Sequence, residues 1–204
     1  MAGLYALRLT NNSPLGGNMC LYQRHPGQET ASDLYSLAWQ CQNCPPGSTI
    51  TFSWALEFGF AWAATGPLGP GAFFEPTQVI GADPGVSGKR SVLFHNSDHG
   101  YDLEPGATKP EAGFLNLQTD ASVPQNQVAV ALTVSGRPAF VRPAGPNLGF
   151  TFQPEPQYWV AFGPFEAGQI LDFEEIMLTT EILFPAGKRS AQAAFQRDCT
   201  WAAR

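Results

Sequence analysis

Between Ile50 and Trp62 every even position carries a large apolar side chain (Ile50, Phe52, Trp54, Leu56, Phe58, Phe60, Trp62), and every odd position is small or polar. A period of two, with aromatic and β-branched residues on one side, describes extended chain with one face buried; a helix would repeat its apolar residues every three or four positions. Thirteen extended residues reach about 43 Å, twice an ordinary strand. A bend or bulge is therefore expected, at Gly59 beside Glu57, with the chain passing there from one sheet to another.

The surrounding chain supports the same class. Eighteen prolines and 21 glycines among 204 residues interrupt any helical period, as many short strands joined by turns would. Further strands are expected at Gly3 to Thr10, Asn18 to Gln23, Leu34 to Gln40, Ser91 to Phe94, Gly113 to Gln118, Gln127 to Val134, Ala139 to Arg142, Leu148 to Phe152, Gln157 to Phe162, Thr179 to Phe184 and Ala191 to Phe195. Phe165 to Met177 shows no clean apolar stripe and reads as loop with a short turn. About a dozen strands favour packed sheets over one open sheet. The expectation is a single all-β domain spanning residues 1–204, a two-sheet, mostly antiparallel β-sandwich with the aromatic stretch central; a partly closed barrel is the alternative. No internal repeat stands out at a fixed period.

The net charge of −6 and a pI near 4.9 argue against nucleic acid and anionic membranes as partners, since like charges repel. Met1 to Thr10 has no basic region leading into an apolar core, and no apolar run is long enough to span a bilayer. A cytoplasmic location follows as the expectation.

Several residues could carry chemistry. Glu57 is the one charge inside the aromatic stretch, with Ala55, Gly59 and Ala61 around it; over a cavity its carboxyl would be a polar anchor or an acid, and on a wet face merely solvated. His95 and His99 flank Asn96-Ser97-Asp98, turn chemistry that could bring the imidazoles together across a hairpin or simply solvate its tip. Cys41 and Cys44 form a CxxC without the following helix of a redox enzyme, and a zinc site would need two distant ligands, from His95 and His99 or Cys20 and Cys199. Reduced, inert thiols are expected, with a disulfide as the alternative, and no metal and no cofactor. Asp172, Glu174, Glu175 and Glu181 read as solvated charge. Phosphate-loop, G-x-S-x-G and H-E-x-x-H patterns are absent from the sequence.

Leu4-Tyr5, Asn11-Asn12-Ser13, Cys20-Leu21-Tyr22-Gln23, Ser36-Leu37-Ala38-Trp39, Phe52-Ser53-Trp54, Phe60-Ala61-Trp62, residues 65–71 (TGPLGPG) and Tyr158-Trp159-Val160-Ala161-Phe162-Gly163 follow one another in an order that resembles the RhiA family of bacterial proteins. The resemblance implies an all-β fold and a bacterial source and brings no catalytic residues with it. The expected function is non-enzymatic binding of a small molecule or carbohydrate, or a structural role, with Glu57, Trp62, His95, His99 and Tyr158 as ligand contacts and self-association through sheet edges. The alternative is an enzyme whose aromatic-lined cavity supports acid–base or cyclisation chemistry on an apolar metabolite.

Overall fold

The alternating stretch is two strands, Thr49–Trp54 (β5) and Phe58–Ala63 (β6), built into different sheets. The chain changes sheet as expected, but at residues 55–57, ahead of Gly59. What holds the crossover is a neighbouring hairpin tip, where Ser135 and Gly136 both have positive φ, the conformation a two-residue type I′ turn requires. Ser135 donates its N–H to the Glu57 carbonyl (2.7 Å), and its hydroxyl accepts the Ala55 N–H (3.2 Å). In β5 the alternation is half-buried, with Ile50, Phe52 and Trp54 inward; in β6 both faces are covered and Gly59, Ala61 and Ala63 are buried as well.

The computed structural model describes residues 3–26, 33–155, 157–174 and 176–203. Its strands form four sheets, and none closes into a barrel. The first runs in the order β17 (Trp201–Ala203), β16 (Ser190–Phe195), β1 (Tyr5–Asn11), β5, and the second β15 (Thr179–Ile182), β14 (Gln157–Gly163), β2 (Asn18–Arg24), β4 (Gln40–Asn43). The third is β3 (Tyr35–Ser36), β12 (Arg137–Pro143), β11 (Ala129–Val134), β6, β7 (Gln78–Ala82), and the fourth β13 (Gly149–Phe152), β10 (Leu115–Thr119), β8 (Ser91–Ser97), β9 (Gly100–Pro105). Pairing is antiparallel except for β1 with β16 and β8 with β10. The all-β class is as expected. The aromatic stretch is central only through β6, because β5 lies at the edge of its sheet.

The strand order contains a duplication that the sequence hides. Strands β1, β2, β4, β5, β6, β7, β8 and β9 correspond in order to β10, β11, β12, β13, β14, β15, β16 and β17, and every pairing in one set has its counterpart of the same direction in the other; only β3 is left over. Register follows suit. Leu7 and Leu9 face Phe52 and Ile50, as Leu115 and Leu117 face Phe152 and Phe150. Loop bonds repeat too: Cys44 N–H to Gly17 C=O matches Ala144 N–H to Val128 C=O, and Asn11 N–H to Ser48 C=O matches Thr119 N–H to Leu148 C=O. Each sheet takes strands from both halves, so neither half could bury its apolar faces without the other. One apolar cluster accordingly draws on all four sheets, with Leu7, Leu21, Leu132 and Phe94 among its members. No helix among the described residues is long and apolar enough to cross a membrane.

Candidate functional site

Most of the rings suggested by the sequence as ligand contacts are packed inside. Trp54 is at the centre of one cluster: its ring lies 5.7 Å from Tyr5 (stacked), 5.5 Å from Trp39, 5.0 Å from Tyr158 and 5.8 Å from Phe184, and its indole N–H donates to the Tyr158 hydroxyl at 3.0 Å. Trp62 belongs to a second cluster, with Phe94 and Tyr101, and its N–H goes to the Gln78 side-chain carbonyl at 2.9 Å. That same oxygen accepts the Leu103 N–H, so Gln78 ties the third sheet to the fourth. Both aromatic residues therefore have their polar atoms satisfied within the protein, as buried Tyr and Trp require.

Burial, partly countered by the Trp54 N–H, pushes the Tyr158 hydroxyl up to about 12 from 10. The folded protein thus holds this proton where the unfolded chain releases it. The corresponding stability is complete below pH 10 and falls away as pH rises to 12, at about 1.4 kcal/mol per unit and some 2–3 kcal/mol in all. Urea midpoints measured from pH 9 to 11.5 are expected to fall, with a shallower fall for Tyr158→Phe; identical slopes would show that Tyr158 is not responsible.

The remaining sequence candidates lie apart from these rings. Glu57 is exposed at the crossover and serves through its backbone carbonyl. His95 stands on β8 opposite Asp102, with Nε2 3.7 Å from Glu104, whereas His99 is exposed at the hairpin tip. The hairpin places the two imidazoles at different levels rather than face to face. Among the described residues no group of three or more His, Cys, Asp and Glu could hold a metal ion. Asp172 and Glu174 lie in a turn, where the Asp172 carboxylate accepts the Glu174 N–H; Glu181 is on β15, and Glu175 lies outside the described residues.

The arrangement best shaped for a ligand is one that sequence periodicity missed. Between β14 and β15 the chain makes an irregular excursion, described at residues 164–174 and 176–178, and its middle is wedged between two other segments. Gly168 N–H donates to Ala38 C=O and Ala38 N–H to Gln169 C=O on one side; Ile170 N–H donates to Ala72 C=O and Gly71 N–H to Ile170 C=O on the other. Phe74 N–H to Gly168 C=O and Leu171 N–H to Ser36 C=O complete the seam. Gly168, at φ 86°, makes the turn into the wedge, a conformation natural to glycine. The result is a cleft of about 450 Å³ between the Pro70–Gly71 turn and the excursion, walled by Pro164, Phe165, Leu171 and Ile176 and carrying Gln169 and Asp172 as polar groups. The Gln169 side-chain carbonyl Oε1 accepts the Glu166 N–H at 3.2 Å, which fixes the amide.

Other concavities suit a ligand less well. The gap lined by Gln23, Phe58, Phe140 and Gln153 has only about 10 Å³, too little for an organic molecule. A wider trough of about 800 Å³ over Asn12, Pro46, Gln196 and Arg197 has no ring to stack on.

The family model described as RhiA matches residues 2–204. Protein RhiA of Rhizobium leguminosarum bv. viciae is 34% identical over 204 residues, an alignment covering 97% of this chain and 84% of that protein. No solved structure matches the chain. The TGPLGPG segment behind the family resemblance ends at Gly71, on the lip of the cleft.

Proposed function

The chain belongs to the RhiA family, and we propose that it is a non-enzymatic binding protein whose ligand is a small molecule with an apolar body and a polar end, a sugar or an apolar metabolite bearing hydroxyl groups. The observation that carries this reading is the cleft of about 450 Å³ beside Phe165, a volume within the range of small-molecule sites, with apolar walls and a few polar groups. Phe165 would offer its ring to the ligand's apolar face. The Gln169 amide and the Asp172 carboxylate would take hydroxyl groups. Because the wedge is held by backbone bonds on both sides, little ordering remains to be done on binding.

Binding is favoured over turnover by the positions of the acid–base candidates. Neither Glu57, exposed at the crossover, nor His95, beside Glu104 on β8, lines the cleft.

The reading is tested by saturation-transfer NMR and calorimetry with a panel of monosaccharides, disaccharides and small aromatic and aliphatic alcohols. At least one class is expected to bind, with affinity lowered about tenfold or more by Phe165→Ala, the loss of one stacking contact with its buried area. Asp172→Asn should weaken hydroxyl-bearing ligands selectively. Absence of binding across the panel, or binding untouched by both substitutions, overturns the assignment to this cleft.

A further inference from the structure

The thiols pair differently from what the CxxC spacing suggests. Cys41 does not meet Cys44; it lies directly across from Cys20 in the antiparallel register of β2 and β4. The Cys44 N–H donates to the Gly17 carbonyl, one step beyond the Asn18–Asn43 pair. Hydrogen-bonded and non-hydrogen-bonded pairs alternate along an antiparallel ladder, so Cys20–Cys41 falls in a non-hydrogen-bonded position, where Cα atoms are about 4.5 Å apart. That spacing lies inside the roughly 4.4–6.8 Å that a disulfide spans.

Both side chains are on the face of the second sheet turned away from the main core, packed with Tyr22, Ala161 and Leu171. Cys20 is wholly buried and Cys41 half-buried. Burial first, and then the adjoining Cys41 thiol, raise the Cys20 thiol well above its usual range. The other two cysteines are elsewhere: Cys44 is in the main core with its sulfur 3.2 Å from the Ser48 hydroxyl, and Cys199 is in the turn before β17. The duplication gives a direct comparison. The positions equivalent to Cys20 and Cys41 are Ala131 and Val141, which face each other across β11 and β12 and are both buried, whereas Cys41 is only half-buried. Alkyl groups therefore suffice to pack this place in the fold, and nothing in the architecture demands sulfur there.

We propose that Cys20 and Cys41 are a site of reversible covalent modification, closing to a cross-strand disulfide by exchange with a low-molecular-weight disulfide such as oxidised glutathione. The half-exposed Cys41 thiolate attacks one sulfur of the small disulfide; a new S–S bond forms, the old one breaks, and one glutathione thiolate leaves. Cys20 then gives up its proton to solvent, and its thiolate attacks the Cys41 sulfur, expelling the second glutathione. The protein dithiol loses two electrons and two protons, and one glutathione disulfide becomes two thiols. The high proton affinity of Cys20 makes this second step the slower one and confers its pH dependence. Because β4 is the edge of its sheet, closure pins that edge to β2, in the same apolar cluster that contains Phe165 and Ile176 of the cleft.

The test uses the full-length protein equilibrated at a series of oxidised-to-reduced glutathione ratios, alkylated, and mapped by mass spectrometry. The expected product is lighter by two hydrogen atoms, with Cys20 and Cys41 linked and Cys44 and Cys199 alkylated. Its Tm should exceed that of the reduced form by about 8 °C, the effect of closing a loop of this length. Cys20→Ala is expected to stop at a glutathione adduct on Cys41. The double variant Cys20→Ala/Cys41→Val reproduces the pair found in the other half, so it should fold with the Tm of the reduced protein and show no shift on oxidation. A bond involving Cys44 or Cys199, or alkylation of both Cys20 and Cys41 at every ratio, overturns the proposal; so does the absence of an adduct in Cys20→Ala.

Discussion

Trp54→Ala is expected to remove about 4 kcal/mol of stability, within the range for truncating a large buried ring, from a total that for such proteins is about 5–15 kcal/mol. The effect is large because three contributions fall together. The indole is only 1% exposed, so truncation leaves a cavity; it contacts four other rings; and its N–H is the partner of the Tyr158 hydroxyl, which would be left buried and unpaired. Urea unfolding should show a midpoint lowered by about 2 M. Trp54→Phe keeps most of the ring packing and forfeits the hydrogen bond, so it should lose less than half as much. A midpoint for Trp54→Ala within 0.5 M of wild type, an interval set from the usual urea slopes of about 1–3 kcal/mol per molar, would mean that this cluster does not hold the sheets together.

Asn11→Ala is expected to cost about 3 kcal/mol, because one wholly buried amide serves four groups and each buried partner left unsatisfied costs about 1–3 kcal/mol before relaxation. Its Nδ2 donates to the Leu15 and Cys44 carbonyls, both at 2.8 Å, and its Oδ1 accepts from the Ser13 N–H at 3.0 Å and the Ser13 hydroxyl at 2.7 Å. This is the physical content of the Asn11-Asn12-Ser13 motif: it ties the end of β1 to the loop after β4. The other half solves the same problem with Thr119, whose hydroxyl donates to the Gly145 carbonyl at 2.6 Å and accepts the Leu148 N–H at 2.8 Å. Asn11→Thr should therefore be milder than Asn11→Ala. Asn11→Asp should be harsher than Asn11→Thr, since it sets a carboxylate oxygen against two carbonyls. Equal denaturation midpoints for all three variants would refute this account of the motif.

What was legible in the sequence is what depends on near neighbours. Side-chain alternation in a strand is set by residues two apart, so the strands at Ile50, Phe60, Val130 and Val160 could be read directly, as could the turns marked by Asn, Gly and Pro. Strands whose pattern is weak were missed: Gln78–Ala82, Gly100–Pro105 and Trp201–Ala203 lie at sheet edges, where half-exposed side chains need no strict alternation. The irregular character of residues 165–174 was also legible, from the lack of any stripe, but its purpose was not.

Pairing partners, by contrast, are chosen across the whole chain. The duplication escaped notice because its two halves have drifted in length: Phe52 and Phe152 are 100 residues apart, Leu7 and Leu115 108, Leu21 and Leu132 111, so no single period aligns them, and few equivalent positions keep the same residue. The same distance effect governed the candidate sites. Trp62 and Tyr158 had the right chemistry for a ligand, but whether a ring faces core or cleft depends on which strand lies over it. Cys41 could be read locally only with Cys44, three residues on, which in an extended strand points to the opposite face. Its actual neighbour, Cys20, is brought opposite by the register of β2 with β4. The sequence thus determined the all-β class and the local strand pattern, because both follow from short-range periodicity. Tertiary structure alone decided the sheet partners, the cleft and the thiol pair, because each is made from segments whose proximity is fixed by burying apolar faces far apart along the chain.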